Sequence, residues 1–201
     1  MKVNEIFASI QGEGKYAGTP ALFIRLSGCN RNCDFCDTKF HNEGKEMNVS
    51  DVVDEINTSS LDKVIFTGGE PCLQKEEIKQ VITRTKHKKY HLETNATIID
   101  NEFLILFEYI AFSPKTVKDM KYFVSDYNPK LYDCDIKVVT DLHLVGKNML
   151  KDATMLMPLS TGNKKADLEI KKSVWKYCVI NNKKYTPRIH VDVFGLKRRG
   201  V

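Results

Sequence analysis

Short, almost wholly apolar runs recur along the chain, and segments of helical period separate them. Few architectures accept that order. The runs at 5–9, 21–26, 63–66, 90–93, 109–112, 135–139, 154–157 and 189–194 are rich in Val, Ile, Phe and Tyr. Several carry scarcely a polar residue, as strands buried on both faces do. Between them, 76–85 sets Ile78, Val81 and Ile82 on one helical face. Residues 166–180 do the same with Ile170, Val174, Trp175 and Cys178. Ser50 is placed to cap a helix carrying Val52, Val53 and Ile56. Weaker helical patterns lie at 101–107 and 142–150. Strand and helix in alternation predict a parallel sheet with right-handed crossovers. The class is α/β, and about six parallel strands suit an open, partial (β/α) barrel. No repeat, low-complexity tract or linker divides the 201 residues, so one domain over 1–201 is expected. The stretch 126–133, with Pro129, reads as a surface excursion.

Ligands of parallel α/β sheets sit beyond the carboxyl ends of the strands, and the polar motifs fall there. Ser27–Thr38, SGCNRNCDFCDT, follows the run ending at Leu26. Thr67–Pro71, TGGEP, follows Phe66, while Glu93-Thr94-Asn95 and Ser113-Pro114-Lys115 follow the next two runs. Four such motifs after successive strands would line one mouth, which argues for an enzyme.

The first motif carries Cys29, Cys33 and Cys36 in a C-x₃-C-x₂-C spacing. Three thiolates can hold three irons of a cubane cluster and leave the fourth iron open to a ligand, whereas fully thiolate-ligated clusters usually carry electrons. The same thiols also suit zinc, with His41 as a fourth ligand. Six cysteines could form disulfides, but the N-terminal MKVNEIFASIQGEG lacks an apolar signal-peptide core. A chain of this size has little need of covalent staples. A reducing cytoplasm is therefore expected, with Cys72, Cys134 and Cys178 as thiols in or near the core. No run is long enough to span a membrane. The net charge of +5 comes from scattered lysines and is too weak to indicate nucleic acid.

Gly68 and Gly69 permit close backbone approach, Glu70 can anchor the loop, and Pro71 stiffens it. With the cysteine loop about 30 residues upstream, the chain resembles the radical S-adenosylmethionine superfamily. More narrowly, FASIQGEGKYAGTPALFIRLSGCNRNCDFCDT, TGGEP, ETN, SPK and the ending PRIHVDVFGLKRRGV are similar to the 7-carboxy-7-deazaguanine synthase family. The resemblance covers most of the chain, most securely up to Lys115. It implies a [4Fe-4S] cluster on Cys29, Cys33 and Cys36, S-adenosylmethionine on the open iron, and Mg²⁺ as a second metal. The implied reaction is a radical ring contraction of 6-carboxy-5,6,7,8-tetrahydropterin to 7-carboxy-7-deazaguanine and ammonia, on the route to queuosine and other deazapurines. The partial barrel would be of the radical SAM type. A homodimer and an electron donor such as flavodoxin are implied as partners, with no direct nucleic-acid or membrane partner.

The resemblance also assigns residues. Gln11, Gly12 and Glu13 match the substrate loop, where an amide and a carboxylate suit the donor–acceptor edge of a pterin. Arg25, in an apolar strand, needs an anionic partner, either the substrate carboxylate in a bidentate pair or a structural carboxylate. Thr67 is matched to substrate, and so is His190, whose alternation with apolar neighbours also fits a core histidine on a strand. Phe35, Asp37, Gly69, Glu93, Ser113 and Lys115 are matched to S-adenosylmethionine, and Thr38 to the Mg²⁺ shell, which keeps waters and shares substrate oxygens. One departure is Ala96, where many superfamily members carry glycine after the asparagine. An activase that installs a glycyl radical on a partner protein would share the cysteine spacing and the Gly-Gly-Glu loop. The set Gln11–Gly14, Arg25 and Cys36–Thr38 favours the small-molecule reading. A zinc or iron–sulfur module without catalysis would leave the other strand-end motifs idle.

Overall fold

The computed structural model describes residues 1–33, 36, 42–126, 131–196 and 199–200, the side chains of 124–126 excepted. Nine strands among them make one open sheet: β1 (Lys2–Ile10), β2 (Pro20–Leu26), β3 (Lys45–Glu46), β4 (Lys63–Gly68), β5 (Lys89–Thr94), β6 (Tyr109–Phe112), β7 (Cys134–Thr140), β8 (Met155–Pro158) and β9 (Lys184–Tyr185). Their spatial order is β3-β1-β2-β4-β5-β6-β7-β8-β9. β1 runs antiparallel to both neighbours, and every pair from β2 to β9 is parallel. The helices are α1 (Val49–Thr58), α2 (Lys75–Arg84), α3 (Asn101–Leu104), α4 (Val117–Asp126), α5 (Lys147–Asp152), α6 (Lys164–Ile180) and α7 (Ile189–Phe194), with a 3₁₀ turn at Pro71–Gln74. The expected open, mostly parallel α/β sheet is what forms.

The period of two along each strand sorts the side chains into two populations. Leu22, Ile24 and Leu26 of β2, Val64 and Phe66 of β4, Tyr90 and Leu92 of β5, Ile110 and Phe112 of β6, and Ile136 and Val138 of β7 share the main core. Helical residues Val52, Ile56, Ile78, Val81, Val174 and Cys178 complete it. The other face is smaller. Ala21, Phe23 and Ile65 form a second cluster there with Phe7 against it. One step further along each strand this face turns polar, with Arg25 beyond Phe23, Thr67 beyond Ile65, Glu93 beyond His91 and Ser113 beyond Ala111. The apolar floor and polar rim together make a cup.

Several elements depart from the expectation. Residues 189–194 form α7 rather than a strand. Pro187 has no N–H to give a sheet edge, and the Arg188 carbonyl accepts from Val191 N at 3.0 Å and Asp192 N at 3.0 Å, which starts a helical turn. Asn48, not Ser50, is the N-cap of α1, and Asp51 Oδ2 accepts from its backbone N–H at 3.2 Å. Trp175 does not share the buried face of α6. It is 59% exposed and lies edge-on to Tyr185. The pattern at 142–150 becomes helical only over Lys147–Asp152. Before it, Thr140 Oγ1 accepts from Leu142 N, and Asp141 Oδ1 accepts from His143 N and Leu144 N, which diverts the backbone into a turn. The pattern at 101–107 stops at Leu104 and finishes in 3₁₀-type bonds from Leu106 N and Phe107 N. Of the excursion at 126–133, residues 127–130 lie outside the described region.

Candidate active site

One cavity opens at the carboxyl ends of the parallel strands. Gln11, Gly12, Glu13, Arg25, Cys29, Cys33, Cys36, Thr67, Gly69, Glu93, Ser113, Lys115 and His190 all line it. Phe35, Asp37 and Thr38 lie outside the described residues, as does His41.

On one side lies a charged network. Lys137, on the inward face of β7 and 3% exposed, donates to Glu13 Oε2 at 2.6 Å and Glu93 Oε2 at 2.8 Å. Arg188 Nε donates to Glu13 Oε1 at 3.2 Å, and His190 Nε2 stands 3.7 Å from the same oxygen. Gln11 Nε2 donates to Glu93 Oε1 at 3.1 Å, and Gln11 Oε1 accepts from Glu13 N at 3.1 Å. Burial opposes the charge of Glu13, but Lys137, Arg188 and His190 outweigh it and hold the carboxyl well below its usual range. Burial likewise opposes the charge of Lys137, and Glu13 and Glu93 overcome it, so the ammonium is held above its usual range. Charged forms on both sides persist across physiological pH.

Arg25 lies on β2 beside Thr67 of β4. It faces Glu5, its register partner on β1, with Nε 2.6 Å from Glu5 Oε1. The guanidinium also stacks over Phe7, 5.4 Å from the ring centroid. The structural partner for Arg25 is therefore present, and the same residue lines the cavity.

The cysteine loop lines the same cavity. All six cysteines are free, with Cys72 and Cys178 buried. Cys29 Sγ accepts from Arg31 N at 3.4 Å and from Asn95 Nδ2 at 3.8 Å. The glycines of TGGEP serve this loop directly. Gly69 N donates to Leu26 O and Glu70 N to Gly28 O, and a Cβ on Gly69 would fall 1.8 Å from Gly28 O. Gly68 adopts φ 119°, where its own Cβ would meet Leu26. The close approach that these glycines allow is between two backbone segments. Glu70, fully buried, anchors the loop as expected: its carboxylate accepts from Cys72 N, Thr94 Oγ1 and Asn95 N at 2.9, 2.8 and 2.6 Å. On the next strand end, Lys115 Nζ donates to Ser113 Oγ at 2.9 Å.

The radical SAM superfamily profile matches residues 23–161. A 7-carboxy-7-deazaguanine synthase of Buchnera aphidicola is 30% identical over 217 residues, covering 94% of this chain and 95% of its own. The chain belongs to the radical SAM superfamily, within its 7-carboxy-7-deazaguanine synthase family.

Another such synthase, of Methanospirillum hungatei, is 45% identical over 101 residues, 49% of this chain and 43% of that one. The chain spans about half the length of several curated relatives that it matches. In fold it is similar to QueE from Escherichia coli, with a TM-score of 0.60, 19% identity and 94% of each chain covered. It also resembles the AdoMet-bound anSMEcpe, with a TM-score of 0.58, 17% identity, and 85% and 65% covered.

Membership implies a four-iron cluster and S-adenosylmethionine. The donor set fits them: three reduced, soft thiols on one loop line a cavity, and backbone and amide N–H groups approach one sulfur. Among the described residues no three His, Cys, Asp or Glu side chains gather into a single-ion site.

Two members of the charged network, Lys137 and Arg188, are absent from the sequence reading. Lys137 had a signal, because Ile136, Val138 and Val139 around it are apolar. The argument that singles out Arg25 applies equally to it. Arg188 had none, since its partner Glu13 is 175 residues away.

Proposed function

We propose that this chain converts 6-carboxy-5,6,7,8-tetrahydropterin to 7-carboxy-7-deazaguanine with release of ammonia. The observation that carries the reading is a single cavity lined both by the three cysteines and by Gln11, Glu13 and Arg25. When bound, the cluster and S-adenosylmethionine supply the one-electron cleavage and the hydrogen-atom abstraction. Every other task falls to the chain's own side chains.

Cys29, Cys33 and Cys36 would hold the cluster, and Gly69, Glu93, Ser113 and Lys115, with Phe35 and Asp37, would orient the cofactor. Glu13 is kept ionised, and a carboxylate has about four acceptor sites. Its remaining capacity suits the amino edge of the pterin, which Gln11 and Gly12 frame. Arg25 offers the substrate carboxylate a cation whose position Glu5 fixes. Thr67 and His190 complete the pocket walls, and Thr38 would join a Mg²⁺ shell shared with substrate oxygens and waters. Phe23, which lines the cavity and packs on Ile65, would help to keep water from the reacting carbon. A homodimer and a flavodoxin-type electron donor belong to the same reading. Among the described residues no helix is long and apolar enough to cross a membrane, and a reducing cytoplasm suits exposed iron–sulfur chemistry.

The test incubates anaerobically reconstituted, reduced protein with S-adenosylmethionine, Mg²⁺ and 6-carboxytetrahydropterin, with products identified by mass spectrometry. Formation of 7-carboxy-7-deazaguanine is expected. Cleavage to 5′-deoxyadenosine without that product would move the proposal to another substrate.

A further inference from the structure

Asn95 stands between the two motifs that build the cofactor side of the cavity. Its backbone N–H donates to Glu70 Oε2 at 2.6 Å, and the residue is 5% exposed. Its side chain sits in a closed ring of hydrogen bonds. Asn95 Nδ2 donates to Asn30 Oδ1 at 2.8 Å, Asn30 Nδ2 donates to Thr97 Oγ1 at 2.8 Å, and Thr97 Oγ1 donates to Asn95 Oδ1 at 2.6 Å. The direction of the ring follows from one bond. Thr97 N lies 3.1 Å from Asn95 Oδ1, and a backbone N–H can only donate, so the amide oxygen must face Thr97. The NH₂ group is thereby turned toward Asn30 and Cys29. An amide nitrogen has two protons. One is used by Asn30, and the other meets Cys29 Sγ at 3.8 Å.

We propose that Asn95 is a positioning residue for the iron–sulfur cluster, donating an N–H···S hydrogen bond to Cys29 that raises the cluster's reduction potential. The proposal rests on a cluster held by Cys29, Cys33 and Cys36 and is independent of the pterin reading. Reduction places more negative charge on the ligating sulfurs, and a fixed N–H dipole aimed at one of them favours the reduced state. A thiolate also accepts more strongly than a thiol, so the contact tightens when Cys29 ligates iron. The hydrogen-bond ring and Glu70 fix the amide beforehand, so no ordering cost arises on reduction.

The experiment is a potentiometric titration, followed by electron paramagnetic resonance, of the reconstituted full chain and Asn95→Ala without S-adenosylmethionine. Iron and sulfide content comes first: a wild-type chain that takes up no cluster overturns the cluster assignment itself. At equal iron content, Asn95→Ala is expected to reduce less readily by about tenfold in the equilibrium constant, a midpoint about 59 mV lower for one electron. An unchanged or higher midpoint overturns the proposal, since a merely structural residue would alter stability and leave the potential in place. Should the alanine variant fail to hold its cluster, the unmodified protein labelled with ¹⁵N-asparagine decides the matter. Weak hyperfine coupling from a side-chain nitrogen is expected in the reduced state, and its absence overturns the hydrogen bond.

Discussion

Lys137 has carboxylate oxygens at 2.6 and 2.8 Å and almost no contact with water. Its removal leaves Glu13 and Glu93, largely but not fully buried at 14% and 19% side-chain exposure, with less compensation, and breaking a buried pair typically costs about 3–5 kcal/mol. Lys137→Met is therefore expected to lower unfolding stability by that amount in a urea titration. Adding Glu13→Gln should return part of it, because the double variant buries one charge fewer. Independent costs that simply add would show that the two residues do not form a unit. Arg25 presents a different balance. Its pair with Glu5 is partly buried, with side chains 13% and 14% exposed. The cost of breaking it lies between the surface and buried limits, about 1–3 kcal/mol. Glu5→Gln is expected to cost that much while leaving turnover of 6-carboxytetrahydropterin within a few-fold of wild type. Arg25→Ala should cost as much and also raise KM at least tenfold. Equal KM values for the two variants would make Arg25 wholly structural. Ala96 shows how magnitudes settle a smaller question. It has φ 63°, a left-handed conformation that costs a non-glycine residue about 1–2 kcal/mol. Its methyl is fully buried, which returns about 0.8 kcal/mol, so alanine is tolerable at this left-handed position.

Within β5 the inward face carries both a site residue and an internal one. Glu93 reaches the charged network, while His91, 2% exposed, packs against both Tyr16 and Tyr109, with ring centroids 4.5 and 5.6 Å away. Neither imidazole nitrogen has a hydrogen-bond partner among the described residues. Burial, with help from Lys63 and Lys15 and against Glu108 and Asp133, pulls its pKa from 6.5 down to about 4. Between those values the unfolded chain binds a proton that the folded one refuses. Stability should thus be full above pH 6.5 and decline as pH falls toward 4, by about 3 kcal/mol in the limit. Glu13, with its carboxyl held low, adds its own loss only below its unfolded value of 4.5. His91→Phe is expected to flatten the thermal midpoint between pH 6.5 and 4.5 while keeping the ring stack. An unchanged slope there would place the acid sensitivity elsewhere. This strand also marks how far sequence reading reaches. Tyr90 and Leu92 announce a core strand, and Glu93 at its carboxyl end announces a mouth, because both signals are local. His91 facing the aromatic floor is not announced, since Tyr16 and Tyr109 meet it only through the fold. The same division holds elsewhere. The motifs at Cys29–Cys36, Thr67–Pro71 and Ser113–Lys115 are legible as strand ends, whereas the pattern at Ile189–Phe194 predicts a strand and the chain forms α7 there. There, local alternation of apolar and polar residues competed with Pro187, and no free edge beyond β9 was needed. The contacts that turn the motifs into one site, Glu70 with Asn95 and Lys137 with Glu13, join segments far apart in sequence.

Across the whole molecule, the two ends of the chain meet over the cavity. The loop after β1 carries Gln11–Glu13, and α7 lies against it, with Ile189 N donating to Gly12 O at 2.9 Å. Arg188, at the N-cap of α7, and His190, within it, reach Glu13, and Gly14 N donates to Thr186 Oγ1 at 2.6 Å. Further on, Gly200 N donates to Glu5 Oε2 at 3.1 Å, and Arg199 pairs with Glu43. No residue of α7 is fully buried, so polar contacts and shape, rather than a hydrophobic face, hold this helix to the sheet. Gly12 is where shape matters most. A Cβ there would fall 2.2 Å from His190 Nδ1 and 3.1 Å from His190 N, too close to both a side chain and a backbone atom of α7. Gly12→Ala should push α7 away from the loop, at the roughly 1–3 kcal/mol typical of overpacking. The parallel strands β4–β8 do not depend on this contact and should keep their slow amide exchange. Amides of 189–195 should instead exchange faster, as expected of a locally released element, and substrate KM should rise with them. Retained protection of α7 in Gly12→Ala would mean that the loop, not the helix, yields, and would shift control of the mouth to residues 11–14.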